Sequence, residues 1–360
     1  MTRGKLFTVH SIAGFICGVF ILCMSCSGTL LLFHNEVDAW QQPKIGYAPE
    51  KDKLSFDQSY AMLQQHYPQA QISHCMLPDQ QHPGYSFFIN DSSLHKSKAI
   101  GIIVDPYQGK LIEPSESRHP MINSLMDWMA GFHQNFHVGK AGEWILAVFS
   151  LIFLLTILSG LWLYRNHILP VLLFRRSVFQ KNNWHQIIGV YALLFNLMFG
   201  ITGAWMQRYV FKAGFYASNH YQPVRKASPG LFFSMDSALA NMQKQYPQFS
   251  PAVIYFAQTN RSTTAVYGSN AFNSFIHSKQ YADMILLNPA GQVDHTGFVG
   301  ELDAGSRYDI INAQVHYGQY GGLPIKLIYV LFGISGALLS ITGFISWRRR
   351  KQRPLPQTAR

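Results

Sequence analysis

Trp184 to Gly203 reads WHQIIGVYALLFNLMFGITG. Between His185 and the closing Thr202-Gly203 almost every residue is apolar, and a helix needs roughly 20 such residues to cross a bilayer. A neutral imidazole at the end of an apolar helix is a ready axial ligand for a metal held between helices. Gly189 follows His185 by one turn on the same face, where a bare backbone lets something flat and bulky lie close.

Working outward, the windows Ile12–Phe33, Trp144–Tyr164, Ile187–Trp205 and Ile325–Trp347 are each long and apolar enough to span. The chain has 360 residues, 48% apolar and 13% charged, where about 25% charged is usual for a soluble protein. The first window is too long, and too poorly followed by a cleavage site, for a removed signal peptide, and it reads as a retained signal anchor.

The net charge is +11, and its placement matters more than its size. Met1–His10, Arg165–Asn183 and Arg348–Arg360 hold two, four and six Lys or Arg and no acid. By the positive-inside rule these segments are cytoplasmic. Both termini are then inside, and two long loops of about 110 and 120 residues lie outside. The basic excess sits where topology requires it, so no nucleic-acid partner is inferred. Of four cysteines, only Cys75 lies outside the first span, which excludes a disulfide framework in the outer loops. Cys23-x-x-Cys26, inside an apolar helix, reads as two small hydrophobes.

The chain repeats itself. At an offset of 175, His10, Gly14 and Ser27-Gly28 fall on His185, Gly189 and Thr202-Gly203. At 179, Ser55-x-Asp57 and Tyr67-Pro68-Gln69 fall on Ser234-x-Asp236 and Tyr246-Pro247-Gln248. At 183, His133 and Ser159-Gly160 fall on His316 and Thr342-Gly343. Each half reads as span, outer domain, span. Of fifteen histidines the overlay retains four, His10, His133, His185 and His316, whereas His34 and His137 fall on tyrosines.

The outer loops read as small α+β units. Phe56–His66 has helical spacing with Ser55 as N-cap. Gln71–Leu77, Tyr85–Asn90 and Ala99–Val104 look like strands, and Asp105–Lys110 like a hairpin turn. Met121–Val138 reads as an amphipathic helix at the outer surface, and Gly139 and Gly142 allow a bend into the second span. His133 reaches a bundle-embedded cofactor only if that bend folds it back.

Topology puts His10 and His185 at the inner end and His133 and His316 at the outer end, one member of each pair from each half. Two imidazoles on one iron make a six-coordinate haem suited to electron transfer. Zinc wants four tetrahedral ligands, and each end offers two matched histidines. No nucleotide-binding glycine motif is present.

H-x3-G with a later S/T-G in the first and third spans, F-H-Q-N-F-H-V-G before the second, and V-H-Y-G with G-G-L-P-I-K before the fourth resemble the PepSY-associated transmembrane family. The outer repeats resemble PepSY domains. The resemblance implies a four-helix transmembrane bundle built from a duplicated half, with two extracytoplasmic α+β PepSY-like domains. Members include bacterial inner-membrane reductases of ferric siderophores that hold two haems b. This implies iron ligation by His10, His133, His185 and His316. A related subgroup carries a fused flavoprotein module, which is not seen in this sequence.

The expected layout is a cytoplasmic lead 1–10, spans at 11–34, 143–164, 184–206 and 323–347, periplasmic domains at 35–120 and 207–322, an interfacial helix and bend at 121–142, and cytoplasmic segments at 165–183 and 348–360. The expected activity is reduction of a periplasmic ferric siderophore or other ferric chelate, with electrons from quinol or a cytoplasmic reductase. A cytochrome subunit serving quinone and a non-enzymatic anchored module are the alternatives. Arg208, Lys212 and Arg225 would suit an anionic chelate, and nearby aromatics a bulky organic one.

Overall fold

A computed structural model describes residues 2–41, 45, 53–79, 82–90, 100–113, 120–175, 183–211, 231–257, 263–271 and 275–351. They fall into two compact units: a helical one of 1–34, 125–214 and 315–360, and a sheet-containing one of 35–124 and 215–314.

The helical unit contains α1 (Arg3–Leu31) and α5 (Lys140–Leu172), while α2 (His34–Gln41) and α3 (Phe56–His66) precede the first strands and α4 (Pro120–Asn135) leads into α5. Next come α6 (Trp184–Tyr191) and α7 (Leu193–Met206). Later in the chain are α8 (Met235–Gln245), α9 (Ala304–Tyr317), α10 (Gly322–Gly333) and α11 (Ser335–Lys351). Three helices, 3–31, 140–172 and 322–350, are long and apolar enough to cross a membrane. A fourth span exists if α6 and α7, bent by 66° at their junction, are one. Val19 is 72% exposed and Leu194 77% exposed, a placement that suits lipid and would be costly in water. The chain is a membrane protein.

The spans are longer than the apolar windows. Thr2 caps α1, its hydroxyl accepting from Lys5 N, so the helix begins well before Ile12. α5 runs eight residues past Tyr164 and through Pro170, close to its end. α1 and α5 run antiparallel: His10 meets Thr156 and Ser159, and Phe20 stacks on Phe149 at 4.7 Å.

The α4–α5 bend folds back more tightly than two glycines would suggest. Phe136 and His137 both take left-handed backbone (φ 53° and 59°), followed by Gly139 at 57°. Asn135 holds the turn, its Oδ1 accepting from His137 N at 3.0 Å. The matching turn before α10 instead places glycines, Gly318, Gly321 and Gly322, at positive φ, where they escape a Cβ clash.

The sheet unit differs from the expected pair of domains. Strands β1 (Gln71–Met76), β2 (Tyr85–Asn90), β3 (Ile100–Asp105) and β4 (Lys110–Ile112) come from the first loop, and β5 (Phe249–Tyr255), β6 (Thr264–Asn270), β7 (Asp283–Leu287) and β8 (Val293–Gly297) from the second. They form one eight-stranded sheet, β4-β3-β2-β1-β5-β6-β7-β8, with every neighbouring pair antiparallel. β1 joins β5 with Cys75 opposite Ile254. Kept apart, each loop would leave that edge's N–H and C=O groups unpaired. One core serves both loops: Phe56, Leu63, Phe87 and Ile89 lie in the same cluster as Met235, Met242, Ile254 and Ile285.

The helices of the two loops cap each other. The Asp236 carboxylate accepts from Phe56 N and Asp57 N, both at 3.0 Å, at the start of α3. Asp57 accepts from Met235 N at 2.9 Å and from the Ser234 hydroxyl at 2.6 Å, at the start of α8. Each carboxylate thus satisfies first-turn donors of the other helix and faces its positive end. Ser55 adds the expected cap, closing a capping box with Gln58. The predicted hairpin turn is present: Asp105 Oδ1 accepts from Tyr107 N and Gln108 N, with Gly109 at φ 63°.

Candidate metal centres

The four repeat-matched histidines lie in the helical unit as two pairs. The ring centroids of His10 and His185 are 6.3 Å apart, and those of His133 and His316 are 6.5 Å apart. His133 joins the second pair because the α4–α5 turn folds back far enough to bring its ring to Ser27 on α1. His137 sits in that turn instead, its ring 5.1 Å from Trp128 and against Gly131.

Each Nδ1 has a partner on a neighbouring helix. His10 Nδ1 lies 3.0 Å from Thr156 O and 3.1 Å from Ser159 Oγ. His185 Nδ1 lies 3.1 Å from Leu339 O and 3.2 Å from Thr342 Oγ1. His133 Nδ1 is 2.8 Å from Ser27 Oγ, and His316 Nδ1 is 2.9 Å from Thr202 Oγ1. The glycine after each hydroxyl residue makes room for the ring. A Cβ at Gly160 would meet His10 at 3.0 Å, at Gly28 His133 at 3.0 Å, at Gly343 His185 at 3.2 Å and at Gly203 His316 at 3.4 Å.

Sequence spacing tied Ser27-Gly28 to His10 on the same helix and Ser159-Gly160 to His133. In space the dipeptides are exchanged: Ser159-Gly160 on α5 seats His10, and Ser27-Gly28 on α1 seats His133. Antiparallel packing of α1 on α5 brings the start of one helix to the far part of the other. The same exchange occurs between His185 and His316. Four hydroxyl residues therefore belong to the site although spacing assigned them no role. Their signal was the dipeptide S/T-G occurring four times at matched distances from a histidine.

The glycines one turn from the first pair behave as expected of open backbone. At Gly14 a Cβ would meet only Thr156 Cγ2 at 3.7 Å, and at Gly189 only Leu339 Cδ2 at 3.6 Å. Among the described residues no three His, Cys, Asp or Glu side chains gather to hold a metal. Each pair brings two imidazoles together.

The three cations expected at a docking surface fare differently. Arg208 is 8% exposed, stacks 4.9 Å over Trp205 and donates from Nη1 to Trp205 O. It is packed into the helical unit and does not project as a surface cation. Lys212 and Arg225 lie outside the described residues. Tyr267 and Tyr281 belong to an aromatic row across the sheet: Phe88, His74, Tyr255, Tyr267 and Tyr281 follow one another at 4.2, 4.9, 5.5 and 6.1 Å. Burial in this row pushes the His74 pKa down to about 4 and that of Tyr267 up to about 12.

Residues 7–350 match the model of the PepSY-associated TM region, and the chain belongs to that family. Among curated proteins none is similar enough in sequence to serve as a guide.

Proposed function

We propose that each histidine pair holds one haem b, and that the chain is an inner-membrane oxidoreductase that reduces a ferric siderophore or other ferric chelate on the periplasmic side. In this reading the helical unit is a four-span bundle built from a duplicated half, with both termini in the cytoplasm. The carrying observation is the spacing of the pairs. Metal–imidazole bonds are about 2 Å and a ring nitrogen lies roughly 1 Å from its ring centre, so two imidazoles on opposite sides of one metal have centroids a little over 6 Å apart. Both observed separations, 6.3 and 6.5 Å, agree. The interplanar angles, 67° and 45°, would be free to differ, since each ring would turn independently about its own bond to a bound metal.

Two ligands per centre suit a macrocycle that brings its own four nitrogens better than zinc, which takes three or four from the protein. Bis-imidazole haem supplies one-electron transfer with no open coordination position. The chain's own residues keep the rings fixed, hold protons on Nδ1 and surround the centres with apolar helices. The electron donor is a quinol or a cytoplasmic reductase. The sheet's aromatic row offers stacking faces to a bulky organic chelate.

The test is an absorption spectrum of the purified protein, oxidised and dithionite-reduced, with haem counted per chain and reoxidation by ferric siderophore followed. Two haems per chain and rapid reoxidation are expected. His185→Ala should lose one haem and keep the other, and an unchanged haem-to-protein ratio would falsify the ligand assignment. Haem that ferric chelate fails to reoxidise would point to exchange with quinone instead, and a colourless protein to a non-enzymatic anchored module.

A further inference from the structure

We infer that Ser27, Ser159, Thr202 and Thr342 are positioning residues that keep the four imidazoles in the Nδ1–H tautomer, and that they do so in two grades, redundantly at His10–His185 and alone at His133–His316. The inference rests on the two-haem reading above.

A neutral imidazole has one donor nitrogen and one acceptor nitrogen, and only the acceptor can ligate a metal. A backbone carbonyl accepts and never donates. Thr156 O beside His10 and Leu339 O beside His185 therefore require the proton on Nδ1. Nε2 of both rings is left with its lone pair. The hydroxyls of Ser159 and Thr342 stand beside those carbonyls as second acceptors.

For His133 and His316 the described partner of Nδ1 is a hydroxyl only. A hydroxyl donates as well as accepts, so alone it does not choose a tautomer. The helix makes the choice. Ser27 Oγ donates to Cys23 O at 2.8 Å, and Thr202 Oγ1 donates to Met198 O at 2.7 Å. With the hydroxyl proton spent on the preceding turn, only lone pairs face the ring. Nδ1 must then carry the proton, and Nε2 would be the atom that holds the iron. One rotation about a C–O bond would reverse this arrangement in the second pair. In the first pair the carbonyls forbid the reversal.

The partner of a ligating histidine's other nitrogen raises ligand basicity, and its loss costs 10–100-fold in metal affinity. Ser27→Ala and Thr202→Val should speed haem loss from the second centre by about that factor. They should also raise its midpoint potential, because a less basic ligand favours ferric iron less. Ser159→Ala and Thr342→Val should change the first centre only a few-fold, since the carbonyls are still there. Ser27→Thr and Thr202→Ser keep an acceptor and should restore both readouts, which separates the effect from poor folding.

The experiment measures haem per chain over time with a haem-scavenging protein present, and potentiometric titration of each centre, for wild type and all six variants. A wild type without haem would remove the two-haem reading and this inference with it. Two haems in the wild type with equal losses from both pairs would overturn the inference alone. So would a Thr202→Val protein whose second centre keeps its potential and its off-rate.

Discussion

The helical unit and the sheet unit are both rich in apolar residues but use them in opposite ways. In the sheet unit Phe56, Leu63, Phe87 and Ile285 are almost fully inaccessible and form one cluster with residues of both loops. In the helical unit many large apolar side chains, Val19 and Leu194 among them, face outward, and the buried positions include the polar Ser27, Ser159, Asn196 and Thr202 beside apolar Ile21, Leu146 and Leu163. Asn196 bridges α7 and α11, its Nδ2 donating to Ser335 Oγ at 2.9 Å. One unit is held by water exclusion. The other is held by close helix contacts and hydrogen bonds in a medium as apolar as its own surface. Buried polar groups are therefore informative in the second unit, where Ser27, Ser159 and Thr202 all face a histidine ring.

The largest expected contrast is between two truncations. Phe87→Ala should cost about 3–5 kcal/mol in the sheet unit, read as lost hydrogen-exchange protection in β1 and β5. Leu194→Ala, at a site 77% exposed, should stay within about 0.5 kcal/mol by the same measure in α7. Similar losses at both positions would break the comparison.

Next is the mutual cap. Asp57→Ala or Asp236→Ala should each cost about 1 kcal/mol and loosen the first turn of the other loop's helix. Exchange rates at residues 56–58 in the Asp236 variant, and at 235–237 in the Asp57 variant, are the measurement. Cross-effects missing from both would mean that the two loops are held by the β1–β5 seam and the shared core without help from the caps.

A smaller effect follows from acid. Burial raises the Asp236 pKa, but hydrogen bonds from Ser55 and from the Asp57 and Phe56 amides outweigh it and hold the carboxyl below its ordinary value. Its contribution is fully present above about pH 4, the ordinary carboxyl range, and is lost as pH falls through the depressed native value. The urea midpoint of the sheet unit should fall on acidification, and Asp236→Asn should flatten part of that fall. The smallest effect is expected at His137. Its ring packs on Trp128 and Gly131 and is not a member of either pair, so His137→Ala should leave the haem-to-protein ratio of the wild type unchanged.

Much of this organisation was legible in the residues. Apolar windows located the three helices long enough to cross a membrane and the bent pair α6–α7, and the overlay of halves picked His10, His133, His185 and His316 out of fifteen. Ser55 and Asp105 announced a cap and a turn by local chemistry, which needs no distant partner. What spacing alone concealed was tertiary. Nothing local says that β1 will pair with β5, because a strand's sequence does not name its neighbour. Nothing local says that Ser27 seats His133 and not His10, since that depends on α1 and α5 packing antiparallel. Arg208 looked like a surface cation because composition does not reveal that its guanidinium folds onto Trp205.

The crossed carboxylates of Asp57 and Asp236 also set a timetable. α3 is synthesised about 180 residues before the carboxylate that completes its first turn, and β1 waits as long for β5. Until the second loop emerges from the ribosome, the first carries an open strand edge and a half-built core. Nascent chains stopped after the second span should therefore be chaperone clients or aggregate, and the first half-sheet matures only when the second loop has been made.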